Sequence, residues 1–311
     1  MGEGLGGRDL ISLIDFSPTE LRRLLSIASE IKANSVHYRD SLRGRTLFMY
    51  FEKPSLRTRV TFETGMTQLG GHAIYYTATE GRIGVRESIE DVARNLERWV
   101  DGAMCRTYSH QLLQDLARFS TIPIINGLTD QFHPCQALAD FLTLSEVCDQ
   151  LAGRTVTFVG DGRNNVARSL MFGSARLGLH LRLLHPPGFA ADSQLLAIAE
   201  RAAKQSGGTI QCGTELSLVD GADAVYTDAW ASMGQEDEAA QRDEIFRPYQ
   251  VNEALMERAA ADALFMHCLP AHRGDEVTDA VADSPRSVIF QQAENRLHAQ
   301  KAVLYALMAG A

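Results

Sequence analysis

The chain has 311 residues, 45% hydrophobic and 22% charged, with 39 Asp+Glu against 30 Lys+Arg for a net charge of −9. At roughly 150 residues per domain this is material for two cores, which excludes a disordered chain and a small disulfide-stapled fold. The acidic balance argues against a dedicated nucleic-acid binder, which needs a basic face. Five scattered cysteines form no CxxC pair, which fits free thiols in a reducing compartment. No run of about 18 apolar residues and no amino-terminal signal pattern occurs. These features predict a cytoplasmic protein without membrane contact.

Helix-like and strand-like runs alternate along the chain, which predicts α/β architecture with parallel sheets. The first helical run, FSPTELRRLLSIASEIKANS, opens on Ser17-Pro18 with Glu20 as a start signal. Strands are predicted at 45–51, 72–76, 102–106 and 122–126, with helices at 57–69, 88–99, 110–119 and 133–148. A break at Gly153 places a domain boundary near 148–153. Beyond it come strands at 155–160, 180–185, 209–212, 224–228 and 263–267, helices at 165–177 and 192–205, and a terminal helix at 294–308.

The segment after the first strand, Glu52-Lys53-Pro54-Ser55-Leu56-Arg57-Thr58-Arg59, reads as an anion site. Ser55 is a good cap, so the first helical turn presents free N–H groups and a positive dipole end at the sheet's carboxyl edge. Hydroxyls from Ser55 and Thr58 and the Arg57 guanidinium would complete a phosphate cradle. A plain capped helix with surface arginines explains the same string. Arg106 at a strand end and His133-Pro134-Cys135-Gln136 at a helix start fall at the same edge.

Taken together, FEKPSLRTRVTFE, RTYSH and HPCQALAD resemble the carbamoyl-phosphate half of the aspartate/ornithine carbamoyltransferases. GDGRNNVARSL, TDAWASMGQE, MHCLPAHRGDEV and FQQAENRLHAQKA are similar to the ornithine-side motifs and terminal helix of that family. The resemblance runs from about residue 15 to 302. It implies two doubly wound parallel-sheet α/β domains linked by two long helices. Residues 1–148 would bind carbamoyl phosphate, with a terminal helix at 290–311 packing back on them, and 149–289 would bind ornithine. It further implies carbamoyl transfer from carbamoyl phosphate to the ornithine δ-amine, a homotrimer with sites at subunit borders, a role in arginine biosynthesis, and no metal or cofactor.

Carried over residue by residue, the resemblance gives Ser55, Leu56, Arg57 and Thr58 to phosphate, with Arg57 among the catalytic groups. Arg106, His133 and Gln136 would hold the carbamoyl oxygen and amide, beside Pro134 and Cys135. Asn165, Asp228, Ser232 and Met233 would hold the α-amino and α-carboxylate groups, and Cys268, Leu269 and Arg296 would line the reacting centre. Asn165 reads equally as a helix cap and Asp228 as a turn residue. Cys268 follows His267 on a strand, so the two side chains should point to opposite faces rather than form a dyad. A cis peptide is expected at Leu269-Pro270.

Three features depart from the family pattern, the first being GVRE at 84–87 where GRGE is usual. Arg82 stands in EGRIGVRE where Gln is usual, and would either contact phosphate or face solvent. Arg168 stands where Asn is frequent. TVTFVGDGRNNV also has the look of a degenerate dinucleotide-binding turn, but the third glycine and the acidic residue after the next strand are missing.

Overall fold

The computed structural model describes residues 4–148, 150–231 and 239–309. The chain divides into two compact units, Met1–Leu142 with Asn295–Ala311, and Thr143–Glu294.

In the first unit, α1 (Pro18–Ala33) begins at Ser17. The Ser17 hydroxyl accepts the Glu20 N–H, and the Glu20 carboxylate accepts the Ser17 N–H, satisfying two helix-start donors at once. Its buried Leu21, Leu24, Leu25, Ala28 and Ile31 recur at helical spacing. Then follow β1 (Thr46–Phe51), α2 (Leu56–Gln68), β2 (His72–Thr77), α3 (Ile89–Trp99), β3 (Gly102–Arg106), α4 (His110–Phe119), β4 (Ile124–Leu128) and α5 (Pro134–Val147). The four strands are parallel, in the order β2-β1-β3-β4.

Strand β4 lies two residues later than its apolar run predicts. Pro123 has no N–H to donate to a ladder, although its carbonyl accepts the Ala103 N–H. At the other end the register slips. Cys105 pairs with Asn126 but Arg106 pairs with Leu128, leaving Gly127 as a bulge. A Cβ at Gly127 would lie 2.4 Å from the Met104 sulfur and 3.2 Å from the Cys105 carbonyl, so the close approach requires glycine. The bulge redirects the chain where Arg106 leaves the sheet.

The second unit contains β5 (Thr155–Val159), α6 (Asn165–Leu177), β6 (His180–Leu184), α7 (Ser193–Ser206), β7 (Thr209–Gly213), β8 (Ala224–Thr227), α8 (Ala239–Phe246), α9 (Glu253–Met256), β9 (Leu264–His267) and α10 (Asp279–Ala282). Its sheet is also parallel, in the order β7-β6-β5-β8-β9. Helices α8, α9 and α10 were not anticipated, because segments of four to eight residues are too short to display an apolar period. The last helix, α11 (Ile289–Met308), starts five residues before the expected Glu294. Its opening Ile-Phe follows Val288, and such β-branched and aromatic residues look extended in sequence. The chain passes between the units within α5 and within α11. The expected α/β class with two parallel sheets is observed.

Each sheet winds in both directions from one strand. β1 has β2 on one side and β3 on the other, and β5 has β6 and β8. The crevices outside the carboxyl ends of β1/β3 and of β5/β8 are therefore topological switch points, where open α/β sheets bind ligands. Among the described residues no helix is long and apolar enough to cross a membrane.

Candidate active site

At the first crevice, β1 leads to Ser55, whose hydroxyl accepts the Thr58 N–H at 3.4 Å and caps α2. The N–H groups of Leu56 and Arg57 belong to the first helical turn, which has no acceptor of its own. Thr58 is fully buried, and its hydroxyl is a meeting point. Arg296 Nη2 donates to it at 2.8 Å, Arg106 Nη1 at 3.5 Å, and Ser55 Oγ at 3.1 Å. Arg296 reaches it from α11 and Arg106 from the bulged end of β3.

Arg296 is itself held in place, since its Nη1 donates to Gln136 Oε1 at 2.9 Å and Gln136 Nε2 donates to buried Asp140 at 2.8 Å. Gln136 thus links Asp140 to Arg296, and one amide N–H remains for a ligand. His133, just before α5, is 4% exposed. Burial, and then the guanidinium groups of Arg296 and Arg106, hold its imidazole well below its ordinary value of 6.5. It is neutral at pH 7 and supplies one ring N–H as a donor. The Arg57 side chain is half-buried and makes no hydrogen bond or ion pair among the described residues. Two guanidinium groups and a helix start thus meet at one hydroxyl, with a neutral imidazole close enough to feel the charge of both arginines, an arrangement that fits an anion joined to a polarised carbonyl.

Other expected residues stand differently. Pro134 opens α5. Cys135 is buried with its thiol on the Asn126 carbonyl at 3.4 Å, and burial pushes it up to about 12; it can meet a ligand through its backbone alone. Arg82 does not join this cluster; its side chain is 62% exposed, so it faces solvent, the second of the two expected positions, with an acid at one side. It is 3.4 Å from Glu52 Oε1, and Glu52 also accepts the Tyr108 N–H at 2.7 Å. An acid at the end of β1 competes for this arginine, a partner not weighed in the sequence reading.

The second crevice centres on Asp228, directly after β8. Its Oδ2 accepts from Asn164 Nδ2 at 2.9 Å, and its Oδ1 accepts the Cys268 thiol at 2.9 Å and the Ala229 N–H at 2.8 Å. Asn164, not Asn165, caps α6, its side-chain oxygen accepting from Val166 and Ala167. Asn165 is the first helical residue, 8% exposed, and the capping role considered for it belongs to its neighbour. Asn164 is the functional candidate that the sequence reading missed; two adjacent asparagines at a helix start leave the cap ambiguous by one residue. Ser232 and Met233 lie outside the described residues. Arg168 is half-buried on α6.

Asp161, at the end of β5, receives Arg242 Nη1 at 2.9 Å and lies 3.3 Å from Arg163. That ion pair occupies the turn which resembled a dinucleotide site. Leu269 has φ 59°, and the Leu269-Pro270 peptide is cis. Oxygen, nitrogen and sulfur atoms of Asp228, His267 and Cys268 lie within 4.8 Å of one another. His267 nevertheless has its Nδ1 lone pair engaged by the Leu269 N–H at 2.9 Å and its Nε2 facing Glu276 Oε1 at 3.1 Å. As folded, the imidazole offers a metal no lone pair.

Both halves of the chain match family models: residues 8–146 the aspartate/ornithine carbamoyltransferase carbamoyl-P binding domain, and 152–307 the corresponding Asp/Orn binding domain. An ornithine carbamoyltransferase of Anoxybacillus flavithermus is 50% identical over 308 residues, 98% of either chain. The anabolic ornithine carbamoyltransferase of Pyrococcus furiosus is 49% identical over 98% of both. A solved ornithine carbamoyltransferase structure from Pyrococcus furiosus superposes over all of both chains with a TM-score of 0.96 at 48% identity, and that of Giardia lamblia over 96% of this chain and 97% of its own with 0.88 at 34%. With matched domain models on either side of residue 150 and relatives that align end to end, the chain belongs to the aspartate/ornithine carbamoyltransferase family.

Proposed function

We propose that the chain transfers the carbamoyl group of carbamoyl phosphate to the δ-amine of L-ornithine, releasing L-citrulline and phosphate. The observation that carries this reading is the buried Thr58 hydroxyl receiving the guanidinium groups of Arg296 and Arg106 beside a neutral His133. In this reading, residues 1–148 with the terminal helix, 290–311, hold carbamoyl phosphate, and 149–289 hold ornithine. The bond from Arg296 to Thr58 supports grouping the terminal helix with the first unit.

Phosphate would rest on the start of α2, against Ser55, Leu56, Arg57 and Thr58, where backbone N–H groups and the dipole favour negative charge. Arg106, His133 and the Thr58 hydroxyl would donate to the carbonyl oxygen, on which charge grows as the tetrahedral intermediate forms. Being uncharged, His133 would donate through its one ring N–H and keep the other ring nitrogen unprotonated. Gln136 and the backbone of Pro134 and Cys135 would receive the carbamoyl amide. Asp228 would accept the α-ammonium of ornithine, with Asn165, Ser232 and Met233 at the α-carboxylate and Cys268 and Leu269 towards the δ-amine. Attack forms the C–N bond, collapse breaks the C–O bond to phosphate, and the departing phosphate is one acceptor for the proton that the amine sheds.

The reading extends to a biosynthetic role in making arginine, a cytoplasmic location and a homotrimer. The last is supported by a groove of about 610 Å³ on the first unit, lined by Phe48, Ile74, Ile83, Val92 and Trp99 among others. Trp99 is 71% exposed there, a large apolar surface of the kind that marks contacts between chains; light scattering of the purified chain checks for three copies. The activity is tested by supplying carbamoyl phosphate with ornithine, N-acetylornithine, putrescine or aspartate in turn. Citrulline from ornithine alone is the expected result, and carbamoylation of another acceptor in preference to ornithine would overturn it.

A further inference from the structure

The proposed function uses Cys268 and Leu269 but leaves unexplained what holds them. Both follow β9 in a turn where Leu269 sits at φ 59°, a backbone region that disfavours a branched side chain. Behind this turn lies a fully buried pair, His267 and Glu276, nine residues apart in the chain. The Leu269 N–H donates to His267 Nδ1 at 2.9 Å, so Nδ1 carries no proton. The ring's one hydrogen is then on Nε2, which donates to Glu276 Oε1 at 3.1 Å. The same Oε1 accepts the His272 N–H at 2.6 Å, tying the far end of the loop to the same atom. Glu276 Oε2 is buried and has no hydrogen-bond partner; its nearest cationic candidate, His272 Nδ1, is 3.9 Å away. Buried polar atoms are nearly always paired, so placing this side chain here costs stability that ordinary packing would not repay.

From this we infer that Glu276 is a positioning residue for carbamoyl transfer. It fixes His267 in the Nε2–H tautomer, and His267 in turn holds the Leu269 amide, which sets the direction of the Cys268 thiol towards Asp228. The arrangement has the logic of an acid orienting an imidazole, with a backbone amide in the place of a nucleophile. The backbone of His267 is anchored independently, its N–H donating to Gln292 Oε1 at 3.0 Å while Gln292 Nε2 donates to the Tyr226 hydroxyl at 3.1 Å. Strand β9 therefore keeps its place when the side-chain relay is cut. This inference rests on the proposed function for its kinetic part alone.

The experiment compares Glu276→Ala and Glu276→Gln with the wild-type enzyme in citrulline formation, reading kcat and the KM of each substrate. Loss of the relay misplaces the turn, so Glu276→Ala should lower kcat/KM for ornithine by about 10- to 100-fold and leave the KM of carbamoyl phosphate within about twofold, as expected when the second unit alone is disturbed. Glu276→Gln should restore most of the loss, since an amide oxygen can accept both N–H groups. Equal loss for the two substrates, or a Gln variant as impaired as Ala, would overturn the inference. A readout that needs neither variants nor activity is the ¹⁵N spectrum of histidine-labelled wild-type enzyme. A His267 ring protonated on Nε2 and bare on Nδ1 is expected, and the opposite tautomer would overturn it. Wild-type enzyme that forms no citrulline would instead break the proposed function and leave the tautomer result standing.

Discussion

The two crevices share a topology and oppose each other in charge. Both lie where a parallel sheet changes its direction of winding, one beyond β1 and β3, the other beyond β5 and β8. In the first, guanidinium groups from Arg106 and Arg296 gather on a neutral hydroxyl. In the second, a carboxylate gathers neutral donors, the Asn164 amide and the Cys268 thiol. Sheet geometry thus chooses where a ligand sits, and the side chains gathered there, from strand ends, helix starts and α11, choose what ligand it is. A doubly negative donor suits the one, and an ammonium-bearing acceptor suits the other.

The sharpest way to break this contrast is to remove a donor from the cationic side. Arg106→Ala should lower kcat by about 10²–10³-fold, the usual loss for one group stabilising an oxyanion, with the ornithine dissociation constant little changed; steady-state citrulline formation checks the first and calorimetry the second. A loss confined to KM would mean that Arg106 binds substrate and transition state equally. On the acidic side the effect should be smaller and of another kind. Asp228→Ala should weaken ornithine binding by about 10- to 100-fold, as expected for one hydrogen bond to a charged group, and leave carbamoyl-phosphate binding unaffected, both read by calorimetry. Comparable weakening of both ligands would erase the division of labour.

The smallest effect sharpens the contrast through acidity. His133 is held well below 6.5 in the fold, while in the unfolded chain it titrates near that value. Below about pH 6.5 the unfolded state therefore binds the extra proton, and stability falls on acidification by up to about 1.4 kcal/mol per pH unit for this one group. Above that pH the group contributes no slope. Urea unfolding between pH 7 and pH 5 should show a steeper loss for wild type than for His133→Gln, and parallel curves would show that His133 charges as readily in the fold as out of it.

Much of this was legible from the chain. Ser55 capping α2 follows from a serine after proline at a strand end, and Arg106 at the end of β3 from a short apolar run closing on a charge. The alternation of strands and helices gave both sheets, and full-length motif resemblance gave the family. What escaped has local physical causes. Whether Asn164 or Asn165 caps α6 depends on one residue of helix phase, which no periodicity resolves. Arg82 could not be assigned because its partner, Glu52, lies 30 residues back and is brought near by the return of the chain rather than by spacing. His267 and Glu276 meet through an irregular loop, and irregular loops carry no period to read.

The bulge at the end of β3 has a consequence of its own. Gly127 has no side chain to offer a ligand, yet a methyl group there would lie 2.4 Å from the Met104 sulfur and 3.2 Å from the Cys105 carbonyl, and the residue after Cys105 is Arg106. The backbone from which Arg106 projects is therefore constrained by a neighbouring strand. With Arg106 in its proposed role, sequence variation near position 127 would tune turnover from inside the sheet, beyond the reach of any survey limited to the residues that face substrate.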